Sequence, residues 1–176
     1  MRLLVVGEPG SGKTSWCRRY IDSRRESGVR VGGVLCPAIQ KQRRVGSDAL
    51  DLLTSEKVPF ARLSVPGSFM GGEDVGDFTI SGRGISFACA AIERALADSC
   101  DLVVIDEVGP LELSGKGLMP AVELALASAI DVLLVVRRQL REALERRFLE
   151  YEFVVAADLA RSPAGVSDYT DCGSHG

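Results

Sequence analysis

Short unbroken apolar runs alternate along this chain with stretches in which apolar residues recur every three or four positions. The first run, Leu3-Leu4-Val5-Val6, is closed by Gly7, the pattern of a strand buried on both faces of a parallel sheet. Over 13–26 the pairs Trp16/Tyr20 and Cys17/Ile21 repeat at four-residue spacing while Arg18, Arg19, Arg24 and Arg25 take the other face, which predicts a helix. Gly28 closes that helix, and a second strand is predicted over 29–36, before Pro37. From 39 to 80 the pattern weakens: β-prone pieces at 49–53, 60–64 and 78–80 lie among Gly67, Gly71, Gly72 and Gly76, and predict hairpins and loops.

Ser81 is placed to cap a helix whose apolar face is Ile85, Ala88, Cys89, Ile92 and Leu96. The most apolar strand, Leu102-Val103-Val104-Ile105, follows and ends in Asp106-Glu107. Helices over 118–129 and 139–149 and strands over 132–136 and 153–156 complete the pattern. Alternating strands and helices predict an α/β fold with a mainly parallel sheet. Residues 1–160 read as one domain, and 161–176, with Pro163, Gly165, Gly173 and Gly176, as a flexible C-terminal tail.

The balance of 46% hydrophobic and 26% charged residues excludes disorder as the ground state of the chain. A net charge of −3 supplies no global attraction to nucleic acid or anionic lipid, so such a partner would need a local patch. The five cysteines are odd in number and none has zinc-site spacing with His175, so they read as reduced thiols. The apolar run of the N-terminus is too short for an export signal, and no run approaches the ~20 residues that span a bilayer. A cytoplasmic protein is expected.

Gly7-Glu8-Pro9-Gly10-Ser11-Gly12-Lys13-Thr14 fits G-x-x-x-x-G-K-[ST] between a predicted strand and a predicted helix. In that context the glycines let backbone amides wrap phosphate oxygens at a helix N-terminus. Lys13 is expected to face the β- and γ-phosphates, and the Thr14 hydroxyl to ligate Mg²⁺. Asp106-Glu107 falls at the carboxyl edge of the sheet, where open α/β folds bind ligands. Asp106 is expected as the Mg²⁺ partner, and Glu107 as the carboxylate that orients or deprotonates water, with a capping or solvated acid as its alternative.

These segments together resemble a known family over residues 1–156: the small nucleoside-triphosphatases first described from thermophilic microbes, which include the human cancer-related nucleoside-triphosphatase. The resemblance rests on the loop 7–14, on Gly32-Gly33-Val34 leading to Arg44-Val45-Gly46, and on Ile105-Asp106-Glu107-Val108-Gly109-Pro110-Leu111-Glu112-Leu113, which is similar to the family's Asp-Glu-[Ile/Val]-Gly-x-[Leu/Met]-Glu-Leu signature. It implies a P-loop NTPase fold, with a RecA-like, mainly parallel sheet flanked by helices and carrying a β-hairpin insertion. It further implies Mg²⁺-dependent hydrolysis of ATP, GTP and other triphosphates to diphosphate and phosphate. Both signature segments are implied to bind nucleotide, the second through Leu102, Val103, Val104, Ile105, Asp106, Glu107, Val108 and Gly109. The chain departs from the family where Ala38-Ile39-Gln40 replaces a Glu-[Ile/Val]-Arg triplet and where a polar tail replaces the closing helix.

Several residues have two readings. Glu112 reads as a supporting or alternative catalytic carboxylate, or as an exposed loop acid. Arg137 and Arg138 end a strand at the ligand edge, where an arginine can stabilise a transferring phosphoryl group; the basic run through Arg141, Arg146 and Arg147 favours a solvated strand end instead. Lys41, Arg43 and Arg44 read as a solvated hairpin rather than a contact to RNA or to the substrate. Trp16 and Tyr20 read as core or subunit contacts. Rival functions are a nucleotide or small-molecule kinase, which the long interval from Lys13 to Asp106 disfavours, and a slow nucleotide-dependent switch that binds a protein partner.

Overall fold

The computed structural model describes residues 1–65, 69 and 72–159. The expected tail at 161–176, with Cys172 and His175, lies outside them. Among the described residues ten strands form one sheet in the order β10 (Phe153–Leu159), β1 (Arg2–Gly7), β9 (Asp131–Arg137), β8 (Leu102–Val108), β2 (Val31–Leu35), β4 (Arg44–Asp51), β5 (Lys57–Leu63), β7 (Phe78–Ile80), β6 (Glu73–Val75), with β3 (Ala38–Gln40) paired to β4. The five strands β10, β1, β9, β8 and β2 are mutually parallel. The apolar runs of β1, β9, β8 and β2 are buried on both faces, as a doubly covered parallel sheet requires, whereas the edge strand β10 leaves Val154 exposed.

Alternation along the strands divides the core in two. Leu3, Val5, Leu133 and Val135 pack with Cys17 and Ile21 of α1 (Lys13–Glu26). On the opposite face Leu4, Val6, Val132 and Leu134 pack with Ala88 and Ile92 of α2 (Gly82–Ala97) and Val122 of α4 (Met119–Ala127). Leu144 of α5 (Arg141–Arg147) joins that second cluster. Ser81 caps α2 as expected, its Oγ accepting from Gly84 N at 3.1 Å.

The insertion is larger than a hairpin. Five strands, β3 (Ala38–Gln40), β4 (Arg44–Asp51), β5 (Lys57–Leu63), β6 (Glu73–Val75) and β7 (Phe78–Ile80), extend the sheet, with β4 joining antiparallel to β2. The piece predicted at 49–53 is the end of β4, whose beginning was hidden because its pattern runs through Arg44, Gly46 and Asp48. Cross-strand pairing rather than alternation specifies this part of the sheet. A short helix α3 (Pro110–Leu113) after β8 was also not foreseen, and the segment 139–149 divides into a 3₁₀ turn, Arg138–Leu140, and α5. Among the described residues, no helix is long and apolar enough to cross a membrane, and Cys17, Cys36, Cys89 and Cys100 are free thiols.

Candidate active site

β1 delivers Gly7 to the carboxyl edge of the sheet, and the chain from Glu8 to Gly12 bridges to the start of α1. A Cβ on Gly7 would lie 2.5 Å from Ser11 Oγ and 2.6 Å from the Leu159 carbonyl, so the loop closes this tightly only on glycine. Gly12, at φ 85°, is the left-handed residue before α1, and no side chain caps its first turn. The free amides of that turn are left for an outside acceptor. Lys13 Nζ donates to the carbonyls of Gly7 at 2.9 Å and Glu8 at 2.8 Å. Burial lowers the Lys13 pKa, Arg137 adding to the effect while Asp106, Glu107 and Glu8 oppose it. Ser11 Oγ is buried without a hydrogen-bond partner among the described residues, and Pro9 and Gly10 are exposed.

One strand, β9, separates the loop-bearing β1 from β8, which carries the acidic pair. Leu102, Val103, Val104 and Ile105 are buried in the two core clusters. Their side chains carry Asp106 to the edge and offer nothing to a ligand, which narrows the second implied nucleotide segment to its end. Asp106 is 3% exposed; its Oδ2 accepts from Thr14 Oγ1 and from Cys36 N, each at 3.0 Å, and its Oδ1 from Glu107 N at 2.8 Å. Burial, then the charge of Glu107, pushes its pKa up to about 6, against the pull of those three hydrogen bonds.

Glu107 does not point away from Asp106 as plain alternation would require. Its φ is 65°, and the β8–β9 register slips between Ile105 and Val108. A left-handed non-glycine residue at a bulge costs ~1–3 kcal/mol and re-aims the side chain. The turn thus occurs within β8, which continues to Val108, rather than beyond the end of the strand. Glu107 Oε1 accepts from Arg44 Nη2 at 2.5 Å, and the Arg44 guanidinium lies 5.4 Å from the centre of the Phe78 ring. Arg44 is therefore not part of a solvated hairpin, although Lys41 and Arg43 are exposed. The signal that pointed to it was its place in the family-like Arg44-Val45-Gly46, not its charge.

Glu112 is neither an exposed acid nor a free one. It is 3% exposed, and its two oxygens accept from Gly109 N at 2.9 Å and Leu118 N at 3.2 Å, which pins the loop after Glu107. Burial raises its pKa despite those bonds. Arg138 pairs with Asp158, and with Glu8 Oε1 at 3.4 Å, while Arg137 lines a cleft with Arg44, Glu107, Phe60 and Phe78. Trp16 and Tyr20 stack at 5.0 Å against the α1-side core, as read from the sequence.

A phosphate-binding loop at one strand end, an acidic pair at another and one strand inserted between them define a P-loop NTPase with a RecA-like sheet. The chain belongs to the NTPase family, whose sequence profile matches residues 2–162. It is 36% identical to the nucleoside-triphosphatase THEP1 of Pyrococcus abyssi, over 80% of this chain and 76% of that one. It is 32% identical to THEP1 of Methanopyrus kandleri, over 79% and 74% of the two chains, and 32% identical to that of Methanosarcina acetivorans, over 90% and 88%. The solution structure of a human cancer-related nucleoside triphosphatase has the same fold, with a TM-score of 0.65 at 23% identity, covering 89% of this chain and 87% of that one.

Proposed function

We propose that this chain hydrolyses nucleoside triphosphates to the diphosphate and phosphate, with Mg²⁺ as cofactor. The observation that carries the reading is the Thr14–Asp106 hydrogen bond of 3.0 Å beneath the phosphate loop, with Glu107 turned beside it by a left-handed backbone. Amides of Gly10 and of Gly12 to Thr14 and the Lys13 ammonium hold the triphosphate, the lysine exchanging its two loop carbonyls for β- and γ-phosphate oxygens. The unpartnered Ser11 hydroxyl suits the same anion.

The residues fit Mg²⁺. Thr14 and Asp106 are hard oxygen donors, and the buried carboxylate has no ion pair among the described residues. When bound, Mg²⁺ neutralises charge on the phosphates. Glu107 aligns a water and accepts its proton as the water oxygen bonds to the γ-phosphorus and the bond to the β–γ bridging oxygen breaks. Arg44 holds that carboxylate in place and gives up part of its hydrogen bonding as the proton arrives.

Phosphate release from ATP, GTP, CTP and UTP, with Mg²⁺ or with chelator and with or without added nucleosides, tests the reading. Chelator-sensitive release that nucleosides leave unchanged is expected. Phosphorylated nucleosides would mean a kinase, and nucleotide binding without release a switch.

A further inference from the structure

Arg137, the last residue of β9, and Arg138, the first of the 3₁₀ turn that follows, look alike in the sequence and differ in the fold. Arg138 is committed: its guanidinium is shared between Asp158 on β10 and Glu8 in the phosphate loop. Arg137 is half-buried, and its side chain makes no hydrogen bond or ion pair with any described residue. Its backbone stands opposite Gly7, the first residue of the phosphate loop, on one side. On the other side the preceding Val136 stands opposite Val108, the residue after Glu107. The inserted strand therefore ends between the two halves of the site, and the Arg137 side chain opens into the cleft that Glu107 and Arg44 line. Its charge lies near enough to Lys13 to disfavour that lysine's charged form.

A half-buried guanidinium with no carboxylate, set beside a lysine, is unfavourable unless an anion completes it. Arg44 cannot take that part without surrendering Glu107, to which it is paired. We propose that Arg137 is a catalytic residue of the hydrolysis proposed above, an arginine supplied in cis that binds the γ-phosphoryl group as it transfers. In that step the water oxygen bonds to phosphorus and the bond to the β–γ bridging oxygen breaks, its electron pair leaving with the diphosphate. Arg137 exchanges no proton; it neutralises charge on the phosphoryl oxygens with two parallel N–H donors, a geometry a lysine cannot supply.

The test compares Arg137→Ala and Arg137→Lys with wild type and with Arg146→Ala, a control on the exposed face of α5. Turnover at saturating ATP–Mg²⁺ is read beside two binding measurements on the same preparations. These are the dissociation constant of a fluorescent ADP and the tightening of that complex by fluoroaluminate, which mimics the transferring phosphoryl group. Arg137→Ala is expected to lower turnover by roughly 10²- to 10³-fold and to lose the fluoroaluminate effect, while ADP affinity changes by less than about threefold. Arg137→Lys is expected to restore only part of both, and Arg146→Ala to behave as wild type. Retained ADP affinity also certifies that the alanine variant is folded. Arg137→Ala with turnover within about threefold of wild type, or with fluoroaluminate still tightening ADP, overturns the assignment. A wild type that neither turns over nor responds to fluoroaluminate overturns the hydrolase reading with it, so the two failures have different signatures.

Discussion

Arg44 and Glu107, 63 residues apart in sequence, meet in an ion pair of 2.5 Å that joins the antiparallel extension to the acidic strand end. Both side chains are partly open to solvent, 34% and 24% exposed, so the pair is worth at most ~1 kcal/mol to stability. Its consequence is orientation. Arg44→Ala is expected to lower kcat by roughly tenfold with the nucleotide dissociation constant nearly unchanged, and to shift folding stability by less than ~1 kcal/mol. Steady-state kinetics and a denaturant titration check both halves. A large stability loss with unaltered kcat would make the pair purely structural.

Glu107→Gln removes the proton acceptor and keeps the shape. Hydrolysis is expected to fall by roughly 10²- to 10⁴-fold, while ATP–Mg²⁺ affinity changes by well under tenfold. Glu107→Gly is expected to be equally inactive yet to unfold at higher denaturant, because glycine adopts φ 65° freely and relieves ~1 kcal/mol of backbone strain. Single-turnover hydrolysis and equilibrium unfolding of the two variants separate chemistry from strain.

Lys13→Ala and Thr14→Ala should fail differently. The lysine variant loses the charge that faces the β- and γ-phosphates, so triphosphate binding weakens and hydrolysis is abolished. The threonine variant loses a metal oxygen, so its activity recovers at higher Mg²⁺. A Mg²⁺ titration of turnover with the same midpoint in Thr14→Ala and wild type would take Thr14 out of the metal shell.

Asp106 makes stability depend on pH with an unusual sign. Burial raises its pKa from 3.8 to about 6, so the folded protein binds its proton more tightly than the unfolded chain does. The stabilisation from that proton is complete below 3.8 and is lost as pH rises through about 6. Between about pH 4 and about pH 7.5, the stability of wild type relative to Asp106→Asn is therefore expected to fall by ~2–3 kcal/mol. Denaturant unfolding of both proteins across that range measures it. A constant difference would show that Asp106 ionises in the fold as it does in the unfolded chain.

What the sequence determined by itself was local. The loop from Gly7 to Thr14 is legible because phosphate binding by backbone needs glycines, a lysine and a helix start within one short segment. The parallel core is legible because strands covered on both faces must be apolar throughout, as Leu3 to Val6, Leu102 to Ile105 and Val132 to Val136 are. Asp106 followed from its place at the end of such a strand. The tertiary structure alone decided the rest, since each remaining feature depends on two segments meeting. Glu107 faces the site because β8 slips one step against β9, and a register slip is a property of the pair of strands. Arg44 reaches it because the extension folds back as part of the same sheet; charge by itself read as solvent exposure. Glu112 looked free until the amides of Gly109 and Leu118 closed on it. Arg137 and Arg138 parted company because β9 ends at Arg137 and the chain turns into a 3₁₀ helix at Arg138, and only the neighbours of β9 decide that one meets Asp158 and the other opens beside Glu107.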